Sequence, residues 1–217
     1  MNEMSSKKIC VSLSGLTAEE ILRETRGLEM AEIRLDRTEL SHEEIREIFS
    51  SGVAMVATCR PGKMSDEERM KILTEAIRSG AEYVDIEIDS KEGYREKLME
   101  EARRKGCKVI LSYHNHEITP SDDVLLDIAS RCRSMGGDVL KMACKANTVS
   151  DTARLLGLLA HLENTVVVAM GEKGRISRVA GPLIGAPFTY ASLSDGKETA
   201  EGQIDFRRMK KIMGLMS

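Results

Sequence analysis

The segment Lys108-Val-Ile-Leu-Ser-Tyr-His-Asn-His-Glu-Ile-Thr-Pro120 decides how this chain must fold. Its first half, residues 108–113, is an apolar run rich in branched side chains. It follows Arg103-Arg104-Lys105-Gly106, the cations and glycine that typically end a helix, so the run reads as a buried strand. Polarity then changes abruptly. Ser112, His114, Asn115, His116, Glu117 and Thr119 gather where the strand ends, and Thr119-Pro120-Ser121-Asp122-Asp123 reads as the cap of a following helix. A buried strand ending in hydrogen-bonding and titratable groups is where α/β proteins place their chemistry. The plain alternative is that one histidine caps the helix and the other is solvated, so the pair needs partners elsewhere in the chain.

Outward from this segment the same pattern repeats. Strands at 8–13, 30–35, 53–58, 83–88, 138–143, 165–169 and 187–191 alternate with helices at 17–25, 41–50, 65–79, 91–105, 121–135, 147–162, 175–184 and 205–213. The first two helices open with capping boxes, Thr17-Ala-Glu-Glu20 and Ser41-His-Glu-Glu44. Eight strand–helix units of about 27 residues each use up the 217-residue chain. The expectation is therefore a single-domain (β/α)8 TIM barrel spanning residues 1–217. A doubly wound open sheet is the competing topology, but Ser12-Leu-Ser-Gly15 is not the Gly-rich first turn it usually carries.

Composition narrows the function classes. Hydrophobic residues make up 41% of the chain, enough for one core; with 3% aromatics and no Trp, that core must be aliphatic and methionine-rich. Basic and acidic residues number 32 and 35, interspersed, for a net charge of -3. That balance leaves no footprint for nucleic acid or an anionic membrane, and a small-molecule partner is expected. No stretch approaches the roughly 18 apolar residues of a membrane span, and Met1-Asn-Glu-Met-Ser-Ser-Lys-Lys8 lacks a signal-peptide core, so a cytoplasmic location is expected. The five cysteines, Cys10, Cys59, Cys107, Cys132 and Cys144, show no Cys-x-x-Cys spacing and read as buried reduced thiols rather than disulfides or a zinc site.

A barrel builds its active site from the C-terminal ends of its strands. Those ends carry Glu32 and Arg34 (second strand), Arg60 (after the third), Asp85 and Glu87 (fourth), His114 (fifth), Lys141 (sixth) and Arg178 (after the seventh). Period two puts Glu32, Arg34 and Asp36 on one face, directed into the barrel if Ile33 and Leu35 face the helices. Buried charges cost several kcal/mol apiece unless paired, so Glu32, Arg34, Asp85 and Glu87 are expected to form a network, either structural or ligand-binding. Arg34 and Arg60 can offer guanidinium forks to a ligand carboxylate or hydroxyls.

Lys141 lies within Val139-Leu140-Lys141-Met142-Ala143, a strand that should be buried on both faces. Desolvation and cations such as Arg34 or Arg178 would depress its pKa and free the amine to attack a carbonyl, with His114 on the adjacent strand to carry protons. A salt bridge to an inward carboxylate is the alternative. Lys145, four residues on, reads as surface. The Gly-x-x-Gly loop of residues 170–178 reads as an anion site made of backbone N–H groups and arginine, and the polar loop 195–204 as a lid over the barrel mouth.

In order along the chain stand Glu-Ile-Arg-Leu-Asp (32–36), Thr-Cys-Arg-Pro (58–61), Val-Asp-Ile-Glu (84–87), Ser-Tyr-His-Asn-x-x-x-Thr-Pro (112–120), the sixth-strand Lys141, Met-Gly-x-x-Gly-x-x-Ser-Arg (170–178) and Glu-Gly-Gln-Ile (201–204). Together they resemble type I 3-dehydroquinate dehydratases; none would suffice alone. The resemblance implies that Lys141 forms an imine with the C3 ketone of 3-dehydroquinate, while His114 abstracts the C2 proton and then protonates the departing C1 hydroxyl. It implies that Arg178 holds the substrate carboxylate, and that Glu32, Arg34, Arg60, Thr199 and Gln203 contact the hydroxyls or order the lid. It further implies a homodimer with no metal and no cofactor. The chain departs from the family pattern at His116, where members carry an aromatic, and at Thr199, where they carry Ser. The glutamate often found shortly after the third-strand arginine has no counterpart in residues 61–66, so the resemblance assigns His114 no carboxylate partner. The first strand starts near the beginning of the chain, as in the shorter, single-function prokaryotic form.

Three other readings share these residues. A class I aldolase barrel uses the same lysine chemistry on another substrate. Metal-dependent hydrolysis would use His114 and His116 as ligands, although His42 and His161 fall in or near outer helices and His116 is expected to leave the mouth toward the helix cap. A ligand-binding barrel without turnover would make Lys141 a buried ion pair.

Overall fold

The computed structural model describes residues 8–216. The expectations placed on the N-terminal residues 1–7 and on residue 217 lie outside the described residues. Eight strands, β1 (Lys8–Leu13), β2 (Met30–Arg34), β3 (Ala54–Thr58), β4 (Tyr83–Glu87), β5 (Lys108–Asn115), β6 (Val139–Lys145), β7 (Thr165–Met170) and β8 (Phe188–Ser192), alternate with α1 (Ala18–Glu24), α2 (His42–Phe49), α3 (Asp66–Arg78), α4 (Glu92–Lys105), α5 (Asp122–Ser134), α6 (Val149–Gly157), α7 (Ser177–Leu183) and α8 (Phe206–Gly214). The strands pair in parallel in the order β7-β6-β5-β4-β3-β2-β1-β8, the wall of a (β/α)8 TIM barrel.

The strands read as nearly continuous apolar runs because both faces are covered. Cys10, Met30, Val56, Ile110, Val139, Val166 and Phe188 point inward and pack on one another, whereas Val11, Ile33, Ala57, Leu111 and Met142 belong to the layer between sheet and helices. Ile33 and Leu35 thus face the helices, which turns Glu32 and Arg34 into the barrel. Helix α2 shows how the outer layer is held: Ile45, Ile48 and Phe49 are buried, each contributing roughly 1.5–3 kcal/mol. Capping boxes start α1, α2, α3 and α6, two more than expected, on Thr17/Glu20, Ser41/Glu44, Ser65/Glu68 and Thr148/Asp151.

Most boundaries shift by a residue or two from the sequence reading, and three of the differences matter here. Strand β5 continues through His114 and Asn115, and β6 through Cys144 and Lys145, because their backbones stay in register with each other and with β7: His114 opposes Ala143, Asn115 opposes Cys144 and Lys145 opposes Met170. Side-chain polarity at the mouth therefore hides backbone that is still strand. The helix expected at 147–162 ends at Gly157 and tightens into a 3-10 turn, Leu158–Ala160.

Among the described residues no ladder joins β7 to β8; α7 closes that gap instead. The Ala169 N–H donates to Ser177 Oγ at 3.0 Å on one side, and on the other Thr189 Oγ1 donates to the Arg178 carbonyl at 2.7 Å. Among the described residues, no helix is long and apolar enough to cross a membrane. All five cysteines are free and buried, and burial pushes the thiols of Cys107, Cys132 and Cys144 up to about 12.

Candidate active site

The C-terminal ends of the strands surround a cavity of about 570 Å³, lined by Glu32, Arg34, Arg60, His114, Lys141, Arg178, Thr199 and Gln203 among others. All eight residues singled out from the sequence thus border one space. Lys141 stands on the wall at 6% exposure, its Nζ 4.2 Å from the centroid of the Tyr190 ring. Ala143, two residues on, pairs with His114, so the imidazole sits one layer nearer the mouth on the neighbouring strand.

The cation that stands beside Lys141 is Arg60, which shares Asp85 Oδ2 with it, and not Arg34 or Arg178 as expected. Lys141 Nζ lies 3.0 Å from Asp85 Oδ2 and 3.7 Å from Glu32 Oε1, so two inward carboxylates balance it. Glu32 also accepts from Ser12 Oγ at 2.5 Å and from Thr58 Oγ1 at 3.0 Å. Burial would raise the Glu32 carboxyl, but Lys141 and Arg34 outweigh it and hold it below its ordinary value. Asp85 grips Arg60 through both terminal nitrogens, at 2.8 and 2.6 Å. Its carboxyl is completely buried, yet Arg60 and then Lys141 hold it far below the usual carboxylate range. Arg60 Nη1 also donates to Glu87 Oε1 at 2.7 Å and to Ser112 Oγ at 2.9 Å.

The expected four-residue network is thus two clusters joined by Lys141, with Arg34 outside both. Arg34 pairs in two-point fashion with Asp36, at 3.0 and 2.7 Å.

His114 Nδ1 lies 3.1 Å from Glu87 Oε2. Burial first, and the Arg60 charge second, push the imidazole below its ordinary pKa, with Glu87 pulling the other way. Arg178 is different from every other arginine here. It is 1% exposed, its Nη2 donates to the Glu201 carbonyl at 2.9 Å, and its Nε has no acceptor. Among the described residues no carboxylate pairs with it. Burial, helped by the nearby Arg175 charge, pushes its pKa down to about 10.

Of loop 195–204, Thr199, Ala200, Glu201 and Gln203 border the cavity. Arg37 Nη1 donates to the Thr199 carbonyl at 3.1 Å, and Gln203 Oε1 accepts from the Thr199 N–H at 2.7 Å. Two expectations fail at this rim. Lys145 is not ordinary surface: partly exposed, it borders the cavity and forms an ion pair with Glu201 of the lid. Extending β6 by two residues puts Lys141, Ala143 and Lys145 on one face, a signal the sequence held but the short strand concealed. His116 does not leave the mouth; it lines the cavity, stacked on His114 with centroids 6.2 Å apart. Among the described residues no group of three or more His, Cys, Asp or Glu is placed to hold a metal. In the glycine loop the Gly171 N–H donates to the Glu201 carbonyl of the lid at 3.5 Å and the Gly174 N–H to the Gly171 carbonyl at 3.1 Å. A Cβ on Gly174 would stand 2.0 Å from the Ala169 carbonyl oxygen, so that glycine serves the tight turn that presents Arg178.

The family model described as type I 3-dehydroquinase matches residues 9–217. The chain belongs to this family. The 3-dehydroquinate dehydratase of Methanothermobacter thermautotrophicus is 37% identical over 220 residues, covering 95% of this chain and 96% of that protein. The crystal structure of the 3-dehydroquinate dehydratase from Aquifex aeolicus VF5 superposes with a TM-score of 0.82 at 31% identity, covering 94% and 96% of the two chains. That from Geobacillus kaustophilus gives a TM-score of 0.86 at 22% identity over 98% of this chain and 91% of that one, a likeness of fold alone. In this type I 3-dehydroquinase Glu87, from the neighbouring strand β4, stands against His114.

Proposed function

We propose that this chain dehydrates 3-dehydroquinate to 3-dehydroshikimate, with Lys141 as the imine-forming nucleophile and His114 as the proton carrier. The observation that carries this reading is a buried lysine amine with an imidazole one layer above it, in a cavity that also holds a buried guanidinium lacking a counter-charge among the described residues. Arg178 is the natural seat for the substrate carboxylate, because an anion there relieves a buried unpaired cation and fills the free Nε donor.

Lys141 must shed a proton before its amine attacks the C3 carbonyl carbon, and loss of water from the adduct then leaves a protonated imine. Asp85 and Glu32 neutralise the cation equally well as ammonium or as iminium, so the carboxylate pair that holds the resting lysine also stabilises the intermediate. The iminium draws electrons from the C2–H bond. His114 takes that proton, and the electron pair becomes the enamine double bond. The enamine then expels the C1 hydroxyl, which leaves as water with the proton held by His114. Addition of water to the conjugated iminium frees Lys141 and releases the enone. Arg34, Arg60 and Glu32 line the wall that faces the substrate hydroxyls, and Thr199 and Gln203 form the lid above them.

Borohydride reduction of the enzyme mixed with 3-dehydroquinate should leave an adduct that maps to Lys141. Lys141→Ala should show neither adduct nor turnover, and near-normal turnover in that variant would refute the assignment.

A further inference from the structure

Glu87 ends β4 and puts Oε1 and Oε2 at 3.0 and 3.1 Å from His114 Nδ1. Arg60 Nη1 donates to its Oε1 at 2.7 Å, and Arg60 is itself pinned through both terminal nitrogens to the buried Asp85. The Glu87 side chain is 18% exposed. A carboxylate held at one oxygen by an immobile guanidinium has little freedom to rotate, so it fixes whatever ring it touches.

We propose that Glu87 is the positioning residue of this site: it accepts the His114 Nδ1–H and so selects the tautomer whose Nε2 lone pair faces the cavity. Arg60 acts through Glu87, as the clamp that aims it. The charged and titratable groups around the imidazole are Glu87 and Asp85 from β4, Arg60 from the end of β3, Lys141 from β6, and His116 stacked on its own strand. Of these, Glu87 alone presents an acceptor to Nδ1. Burial and the charges of Arg60 and Lys141 favour the neutral ring, but they do not choose between its tautomers; a fixed acceptor at Nδ1 does. No sequence spacing announces this pair, which closes laterally between two strands.

The test has two arms, and only the kinetic one rests on the Schiff-base reading above. The chain has four histidines, so nitrogen-15 spectra of the ring nitrogens in the ligand-free enzyme can be assigned with a His114→Gln variant. The wild-type His114 ring should be protonated at Nδ1 and bare at Nε2, and Glu87→Gln should give a mixture of tautomers. In the kinetic arm, Glu87→Gln should keep the borohydride-trapped adduct and lose kcat by about 10- to 100-fold. It should also move the acid limb of the kcat/KM profile to lower pH, because a negative charge that favours the imidazolium has gone. A wild-type ring protonated at Nε2 would overturn the proposal, and that spectrum needs no variant to fold. Native kcat with an unmoved acid limb in Glu87→Gln would overturn it too, as would joint loss of adduct and turnover with the tautomer unchanged. A wild-type enzyme that forms no adduct would remove the Schiff-base reading, while the ring spectra would still decide the role of Glu87.

Discussion

Replacing Arg178 with methionine should make the free protein more stable and the enzyme worse. The guanidinium is 1% exposed and lacks a carboxylate among the described residues, and burial pushes its pKa well below the ordinary arginine value, to about 10. At 1.36 kcal/mol per pKa unit, the folded state carries about 3 kcal/mol of charge burial. The folded pKa lies below the unfolded one, so at neutral pH this is a destabilising contribution, relieved only as pH rises through about 10 toward the ordinary arginine value. Methionine removes it together with the 2.9 Å bond to the Glu201 carbonyl. That bond is worth about 1.5 kcal/mol, which leaves a net gain of about 1–2 kcal/mol, or roughly 2 to 8 °C in Tm for a chain of this size. Losing a buried charged partner of the substrate carboxylate costs about 2–5 kcal/mol, so kcat/KM should fall roughly 30- to 5000-fold, chiefly through KM. Calorimetry of the ligand-free protein gives the first number, and ultraviolet absorbance of the conjugated enone gives the second. A lower Tm together with a native KM would mean that Arg178 is a structural residue and that the anion seat lies elsewhere.

Four further substitutions divide the site. His114→Ala should still form the Lys141 imine but lose roughly 10²- to 10⁴-fold in turnover, so the covalent intermediate should accumulate in mass spectra, whereas His116→Ala should cost much less; an essential His116 with a dispensable His114 would reverse their roles. Asp85→Asn leaves Lys141 and Arg60 short of a buried counter-charge and should lower unfolding free energy by about 3–5 kcal/mol in denaturant titrations. Because Asp85 is held far below the usual carboxylate range, its contribution is present above the unfolded carboxylate pKa and is lost only as pH falls through the folded value, in strong acid. Lys145→Met breaks the half-exposed pair with Glu201, worth about 0.2–1 kcal/mol, so KM should rise at most a few-fold and become less sensitive to salt.

The fold was legible because each level of the sequence agreed with the next: capping residues, apolar runs and helical periodicity all pointed to eight units. Lys141 stood out since a lysine in the middle of Val-Leu-Lys-Met-Ala has no solvent to reach. His114 stood out as the titratable group on the next strand. What stayed hidden is lateral. The Glu87–His114 and Asp85–Lys141 pairs form across strands, and a linear reading supplies each carboxylate without saying which cation it meets. The short reading of β6 concealed Lys145, and the abrupt polarity after Tyr113 suggested that the backbone had left the sheet when it had not. The Gly-x-x-Gly pattern is ambiguous for a different reason: a tight turn and an anion nest ask for the same residues.

Among the described residues the facing rims of β7 and β8 do not pair, which gives the barrel wall a split, spliced by α7, a helix of seven residues. Arg178 is part of that splice, its carbonyl tied to Thr189 while the adjoining Ser177 holds Ala169. An anion on its guanidinium therefore lands on the seam of the container and not merely on its lining. Mechanically, filling the cavity and tightening the wall become one event. In hydrogen exchange, the amides of β7 and β8 should open more readily than those of β3 and β4 in the free protein, and they should gain the most protection when a carboxylate ligand is present.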